Sequence, residues 1–150
     1  MYHTITRRKL RRVFEQLSRG NSEVAFADLA PQFEHVFSGA HTFGGTRRTA
    51  ASFRRWFVRL FEVFPGLQFE IKNVLVQGWP WNTVAAVEWE DWATMRDGTE
   101  YRNQGVHIIR LRWGRVVSLR VYLDTQKIAD ACRHQAERGV PQALAPPITD

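Results

Sequence analysis

Asn82-Thr-Val-Ala-Ala-Val-Glu-Trp-Glu-Asp-Trp-Ala-Thr-Met95 is followed by the turn Arg-Asp-Gly-Thr-Glu. Tyr101-Arg-Asn-Gln-Gly-Val-His-Ile-Ile-Arg-Leu-Arg-Trp113 comes next, then Gly-Arg and Val116-Val-Ser-Leu-Arg-Val-Tyr-Leu-Asp124. Three long runs of period two, separated by short glycine-containing turns, predict an antiparallel meander. Alternate side chains on a pleated strand point to opposite faces. The odd positions carry Ala85, Val87 and Trp89, then Tyr101, Ile109 and Leu111, then Val117, Leu119 and Val121. Glu88, Glu90, Arg102, Arg110 and Arg120 occupy the even positions. The odd face is therefore the inner one. Asp91, Asn103 and His107 share its parity, and a polar group placed inside costs free energy unless it is partnered or used.

Keeping odd faces together across Trp113-Gly114-Arg115 calls for a three-residue loop, which pairs Arg112 with Val116 and His107 with Val121. The turn from Arg96 to Glu100 leaves three registers open. Asp91 falls opposite Asn103, Gly105 or His107, and only the last two bring it within easy reach of the imidazole.

Gly105-Val-His-Ile-Ile-Arg-Leu111, a glycine turn, Arg115-Val-Val-Ser-Leu-Arg-Val-Tyr-Leu-Asp-Thr125 and a closing helix resemble the end of SnoaL-like proteins. These are the polyketide-cyclase and ketosteroid-isomerase relatives within the nuclear transport factor 2-like superfamily. The resemblance extends upstream through Gly44-Gly-Thr-Arg-Arg-Thr49, the Phe/Trp-rich helix and Phe64-Pro-Gly-Leu-Gln-Phe-Glu-Ile71, covering about residues 10–135. It implies an α+β fold: a strongly curved, mixed and mostly antiparallel sheet, wrapped by three to four helices into a cone with an internal apolar pocket. Such proteins pair a strand histidine with an acid on the last strand. His107 keeps the histidine, whereas the acid's position falls on Val121, so the ring-closing reaction does not carry over unchanged. Homodimers are common in such proteins, and the even sheet face with Val106, Ile108 and Tyr122, together with the Trp79–Trp81 loop, would serve as the contact.

The 150 residues suit one domain, 1–139, followed by an extended or disordered tail, 140–150. The aromatic fraction is 13%, with six Trp and ten Phe, which suggests a core or pocket lined with flat rings. No apolar run reaches membrane-spanning length and no signal peptide is visible, so no membrane partner is expected. A lone cysteine, Cys132, fits a reducing cytoplasm. The net charge of +6 is concentrated in Arg7, Arg8, Lys9, Arg11 and Arg12 on the first helix, where a solvated face is the simpler reading and nucleic acid the minor one.

That first helix is expected from Thr4 or Thr6 to Ser18, with Leu10, Val13, Phe14 and Leu17 inward. A shorter helix from Ser22 should end before Pro31, and Gln32–Phe37 should be a strand that puts His35 among phenylalanines. The loop Ser38–Gly45 holds His41, which the resemblance places near the pocket mouth. Thr49 should cap a helix carrying Phe53, Trp56, Phe57, Leu60 and Phe61, with Trp56 as pocket wall. In Leu67–Gly78 the apolar parity switches near Lys72-Asn73, which predicts a bulge. Asp124 should cap a last helix.

A carboxylate and an imidazole in an aromatic pocket suit proton transfer beside a carbonyl. The working assignment is Asp91 as base or acid and His107 as its partner, with His35, His41, Trp56, Trp89, Asn103 and Val121 around the ligand. The plainer possibility is that Asp91 and His107 only satisfy each other. No cofactor is expected, and the histidines are not at metal-ligand spacing on any one element. Epoxide hydrolysis, which resembling families carry out with two acids and an arginine, has only one inward acid here. Two other classes stay open: a non-catalytic carrier or sensor of a hydrophobic small molecule, and nucleic-acid binding through the first helix.

Overall fold

The computed structural model describes residues 1–150. Helix α1 (Tyr2–Leu17) precedes a single 3-10 turn, Ser22–Ala25, and strands β1 (Leu29–Phe37) and β2 (Gly45–Arg47). Helix α2 (Ala50–Val63) leads into β3 (Gln68–Trp79), β4 (Asn82–Thr94), β5 (Glu100–Arg112) and β6 (Arg115–Leu123), and α3 (Thr125–Glu137) follows. One six-stranded sheet runs in the order β2-β1-β6-β5-β4-β3. Strands β1 and β6 are parallel and the other neighbours antiparallel. The three helices and the curved, open sheet make an α+β cone.

Local chemistry explains most of these boundaries. The Thr49 hydroxyl accepts from the Ser52 amide at 3.2 Å, and Asp124 Oδ1 accepts from the amides of Gln126 and Lys127 at 3.1 and 3.2 Å, so both helices are capped as their sequences predict. The inner stripe of α2 (Phe53, Trp56, Phe57, Leu60 and Val63) is buried against the sheet's concave side. Each such side chain contributes about 1.5–3 kcal/mol through removal from water. The predicted fault in β3 is a bulge between Ile71 and Asn73.

Three expectations change. The segment after α1 is only one 3-10 turn, because Leu29 is drawn into β1 beside Val116 of β6 instead of continuing a helix. The first helix also begins earlier than its threonines suggest, at Tyr2, where His3 Nε2 meets the Gly78 carbonyl at 2.7 Å and ties the start of α1 to the β3–β4 hairpin. The β5–β6 loop has two residues and not three. Arg112 faces Arg115 across Trp113 and Gly114, both at positive φ (51° and 76°), and a bulge at Arg110/Leu111 restores the expected partnership of His107 with Val121.

Residues 140–150 form neither helix nor strand, yet they pack along β2 and the start of α2. Arg59 donates to the Pro146 carbonyl at 2.7 Å, and Arg47 to that of Ile148 at 2.7 Å. The Asp150 carboxylate accepts from the amides of Arg48 and Thr49 at 2.7 and 3.1 Å and from the Ser52 hydroxyl. A negative side chain at a helix N-terminus is favoured by the exposed amides there.

Candidate active site

The concave side of the sheet, α1 and α2 enclose a cavity of about 110 Å³. Its wall is dominated by apolar and aromatic side chains, and four titratable groups line it from the sheet: His35, Asp91, Tyr101 and His107. Among all the lining residues only Lys9 is exposed, so the cavity opens between α1 and the segment around Asp28, where Lys9 and Asp28 form an ion pair at 2.9 Å.

Asp91 is buried on β4. Of the three open registers the chain adopts the one that sets Asp91 opposite Asn103, with Trp89 opposite Gly105 and Val87 opposite His107. Asp91 and His107 are therefore not a pair. Four residues separate Asn103 from His107, so Asp91 and His107 lie about 13 Å apart along the strand direction. Asp91 Oδ1 is sealed from solvent without a hydrogen-bond partner. Burial in apolar surroundings disfavours its charge and pushes it up to about 7, against weaker opposition from the backbone amides of Asn103 and of Asp91 itself. The Tyr101 hydroxyl shares this corner of the cavity. Burial first, and then the Asp91 charge, raise its pKa well above the ordinary tyrosine value.

His107 is held differently. The Trp89 indole Nε1–H donates to His107 Nδ1 at 2.7 Å. An indole can only donate, so in the neutral ring the proton sits on Nε2. Gly105 makes this contact possible: a Cβ there would lie 2.8 Å from the Trp89 ring and 2.5 Å from the Tyr122 carbonyl. Phe14 of α1 packs edge-on against the imidazole with centroids 5.0 Å apart. Burial lowers His107 to about 3, so the ring is neutral at any ordinary pH.

His35 repeats the arrangement from β1. Arg47 Nε donates to its Nδ1 at 2.9 Å, and the ring stacks on Phe53 at 4.4 Å. Its proton is likewise assigned to Nε2. Burial, then the charge of Arg47, then the proximity of His107 all hold His35 well below the ordinary imidazole value. Arg47 itself is fully buried and has no carboxylate partner in contact; its other donors reach the carbonyls of Phe43, Gly44, Gly45 and Ile148. Burial lowers its pKa to about 10, which leaves it a cation.

The remaining expected site residues divide. Trp56 and Trp89 line the cavity, and the Trp56 indole donates to the Phe43 carbonyl at 2.9 Å. His41 does not reach the cavity. Its Nε2 meets the Ser38 carbonyl at 2.8 Å and its Nδ1 accepts from the Phe43 amide at 3.2 Å, so both nitrogens close the loop. Asn103 is a brace: its amide donates to Tyr101 and to the Asp124 carbonyl, both at 3.0 Å, and accepts from the Gln104 amide at 2.8 Å. Val121 is buried between Phe37 and His107 and brings no acid to them. No cluster of metal-binding side chains is present. Sequence reasoning missed Arg47 and Tyr101. Tyr101 shares the parity of Asp91 and could have been noticed; Arg47 ends a three-residue strand, β2, too short to show a period that assigns it a side.

The fold has many counterparts among solved structures. A provisionally assigned SnoaL-like polyketide cyclase from Jannaschia sp. CCS1 matches with a TM-score of 0.66 at 20% identity, covering 83% of this chain and 88% of that one. An NTF2-like protein of unknown function from Burkholderia pseudomallei K96243 reaches 0.71 at 18% identity, covering 83% and 94%. TerC, co-crystallised with polyporic acid, reaches 0.71 at 18% identity, covering 83% and 95%. No curated protein matches the chain in sequence. At these identities the solved structures speak for the fold, and the family itself comes from a sequence model matching residues 10–119: the chain belongs to the SnoaL-like domain family.

Proposed function

We propose that this protein is an acid–base enzyme that moves a proton on a conjugated, hydrophobic carbonyl compound, with Asp91 carrying the proton. The observation that carries this reading is the state of Asp91. It is a buried carboxylate with one oxygen unpartnered and a pKa near 7, in a cavity where both imidazoles are locked into donor form. A base is most effective when its pKa lies near the working pH. Asp91, about 13 Å along the sheet from His107, would abstract a proton from a carbon joined to the carbonyl through conjugated double bonds. The Nε2–H of His107, of His35 or of both would donate to the oxygen on which the enolate charge develops, and Asp91 would then return the proton at the same or a conjugated carbon. Neutral donors held in place in an apolar cavity stabilise such a charge without reorganising.

A ligand lying over Trp89 would touch both ends of this arrangement. The enclosed volume suits one ring-sized group, and the rest of a polyketide- or steroid-sized molecule would emerge past Lys9. Proton–deuterium exchange into cyclic and aryl ketones, followed by NMR, tests the reading. The rate should rise with pH through about 7, and Asp91→Asn should lower it by about 10²–10⁴-fold. Saturable ligand binding with no exchange above the uncatalysed rate would make the protein a carrier instead, and catalysed exchange unaffected by Asp91→Asn would remove Asp91 as the base.

A further inference from the structure

One end of the molecule combines exposed indoles with unneutralised positive charge. Trp79 and Trp81 of the β3–β4 hairpin are 66% and 54% exposed, and Trp113 at the β5–β6 tip is 71% exposed. The three rings form one cluster. Trp79 and Trp81 are stacked with centroids 5.8 Å apart, Trp81 and Trp113 are 6.1 Å apart, and the Trp113 amide donates to the Pro80 carbonyl at 2.6 Å. The start of α1 joins them through the His3–Gly78 contact, bringing Met1 and Ile5, both largely exposed.

Charge follows the same end. No Asp or Glu occurs in residues 1–14, 71–87 or 101–123. Arg8 and Arg12 continue the outward face of α1 begun by Ile5, and Arg110, Arg112 and Arg115 flank the hairpin tips. None of these arginines is in a salt bridge, although most other basic side chains on the sheet's far edge and on α3 are. The mouth of the cavity lies on this end: Arg115 donates to the Ala27 carbonyl at 3.2 Å, next to the Lys9–Asp28 pair.

We propose that this end docks on an anionic phospholipid surface, with the indoles at headgroup depth and the arginines over the lipid phosphates, so that the cavity mouth faces the bilayer. Trp is favoured at the membrane–water boundary, and unpaired basic side chains add attraction to anionic lipid. No helix is long and apolar enough to cross a membrane, so the contact is peripheral. Single-stranded nucleic acid fits the patch less well. Successive bases need separated rings to stack on, whereas Trp79 and Trp81 cover each other's faces at an interplanar angle of 6°. Met1 and Ile5 add aliphatic surface that suits acyl chains better than bases. The docking does not depend on the chemistry proposed for Asp91; it takes from the cavity only the position of the mouth. It does supply a reason for that position, since a ligand dissolved in lipid would meet the opening directly.

Flotation with large unilamellar vesicles of phosphatidylcholine, with and without about one-third phosphatidylserine, is the direct test. The full chain should float only with the anionic vesicles at low salt and be released by 0.5 M salt, each arginine contributing about fivefold. Arg8→Glu/Arg12→Glu should cut the affinity by well over tenfold, with the far-UV circular dichroism unchanged. Trp81→Ala/Trp113→Ala should weaken binding, and brominated lipid should quench the parent's fluorescence more than this variant's. No flotation with anionic vesicles would overturn the proposal. Flotation unaffected by both double variants would place the contact elsewhere and overturn it too. A dimer, seen by sedimentation velocity, that Trp81→Ala/Trp113→Ala dissociates would show that a second copy covers the indoles, and would equally overturn it.

Discussion

Replacing Asp91 by Asn should change the pH dependence of stability in a direction opposite to that of most carboxylates. In the unfolded chain an aspartate ionises near its ordinary value of 3.8; in the folded chain Asp91 holds its proton to about 7. Between those two values the folded state binds more protons than the unfolded one, so stability falls as pH rises through this window. Above pH 7 the loss is complete, at about 4 kcal/mol for this displacement. His35 and His107 act in reverse. Their folded values are depressed, so stability falls as pH drops below about 6.5, by nearly 5 kcal/mol for His107 once its value near 3 is passed. The parent's own profile mixes these trends, and the difference between variant and parent isolates Asp91. Urea unfolding at pH 4.5 and 8.5 reads it. The variant's stability relative to the parent should increase by about 3–4 kcal/mol from the lower pH to the higher. A difference that stays constant across that range would show that Asp91 ionises normally, and the proton-transfer proposal would lose its base.

Gly105→Ala should cost about 1–3 kcal/mol, because the added methyl group meets the Trp89 ring and the Tyr122 carbonyl, and the Trp89 indole signal should move in a ¹⁵N correlation spectrum as its bond to His107 is lost. Trp89→Phe removes the donor that fixes the imidazole, so His107 should populate both tautomers, visible in its ring ¹⁵N shifts, with loss of turnover at little cost in ligand affinity. Arg47→Met should destabilise by about 3 kcal/mol or more, measured by urea unfolding, since four carbonyls and the His35 nitrogen lose their donor together; Arg47→Lys should not rescue it, lacking the planar fork.

The parity of the meander was enough to put Asp91 and His107 on the concave side, and the same period located the bulge in β3, while Thr49 and Asp124 marked the starts of α2 and α3 by their capping chemistry. The partner of Asp91 was not legible, and the reason is tertiary. The turn after β4 is set by α3, where Asp97 meets His134 at 2.8 Å and Arg138 at 2.7 Å, and Gln135 accepts from the Arg96 amide at 3.1 Å. Local bonds shape the turn as well, with Asp97 accepting from the Thr99 amide and hydroxyl, but α3 lies far away in sequence and no period reveals its contribution. The β5–β6 loop misled for a local reason: a tryptophan at φ 51° is an uncommon choice for a type I′ position, and the bulge hides the missing residue from a parity count. His35 and His41 looked alike in sequence, as histidines near phenylalanines. What separates them is the donor each meets, and for His35 that donor comes from β2, a strand too short to have a pattern of its own.

The tail's grip on Arg47 also has a consequence in time. A ribosome delivers residues at about 5–20 per second, N-terminus first, so the sheet, α2 and both histidines are synthesised while the Ile148 carbonyl has yet to be made. Until then the guanidinium beside His35 lacks one acceptor, and Asp150 is not there to meet the first amides of α2. A chain stopped short of residue 148 would have every strand of the cone and the complete set of cavity-lining residues, yet would leave a buried cation unfinished next to the imidazole. Arrival of Ile148 and Asp150 therefore completes the support behind the pocket after its lining has been made.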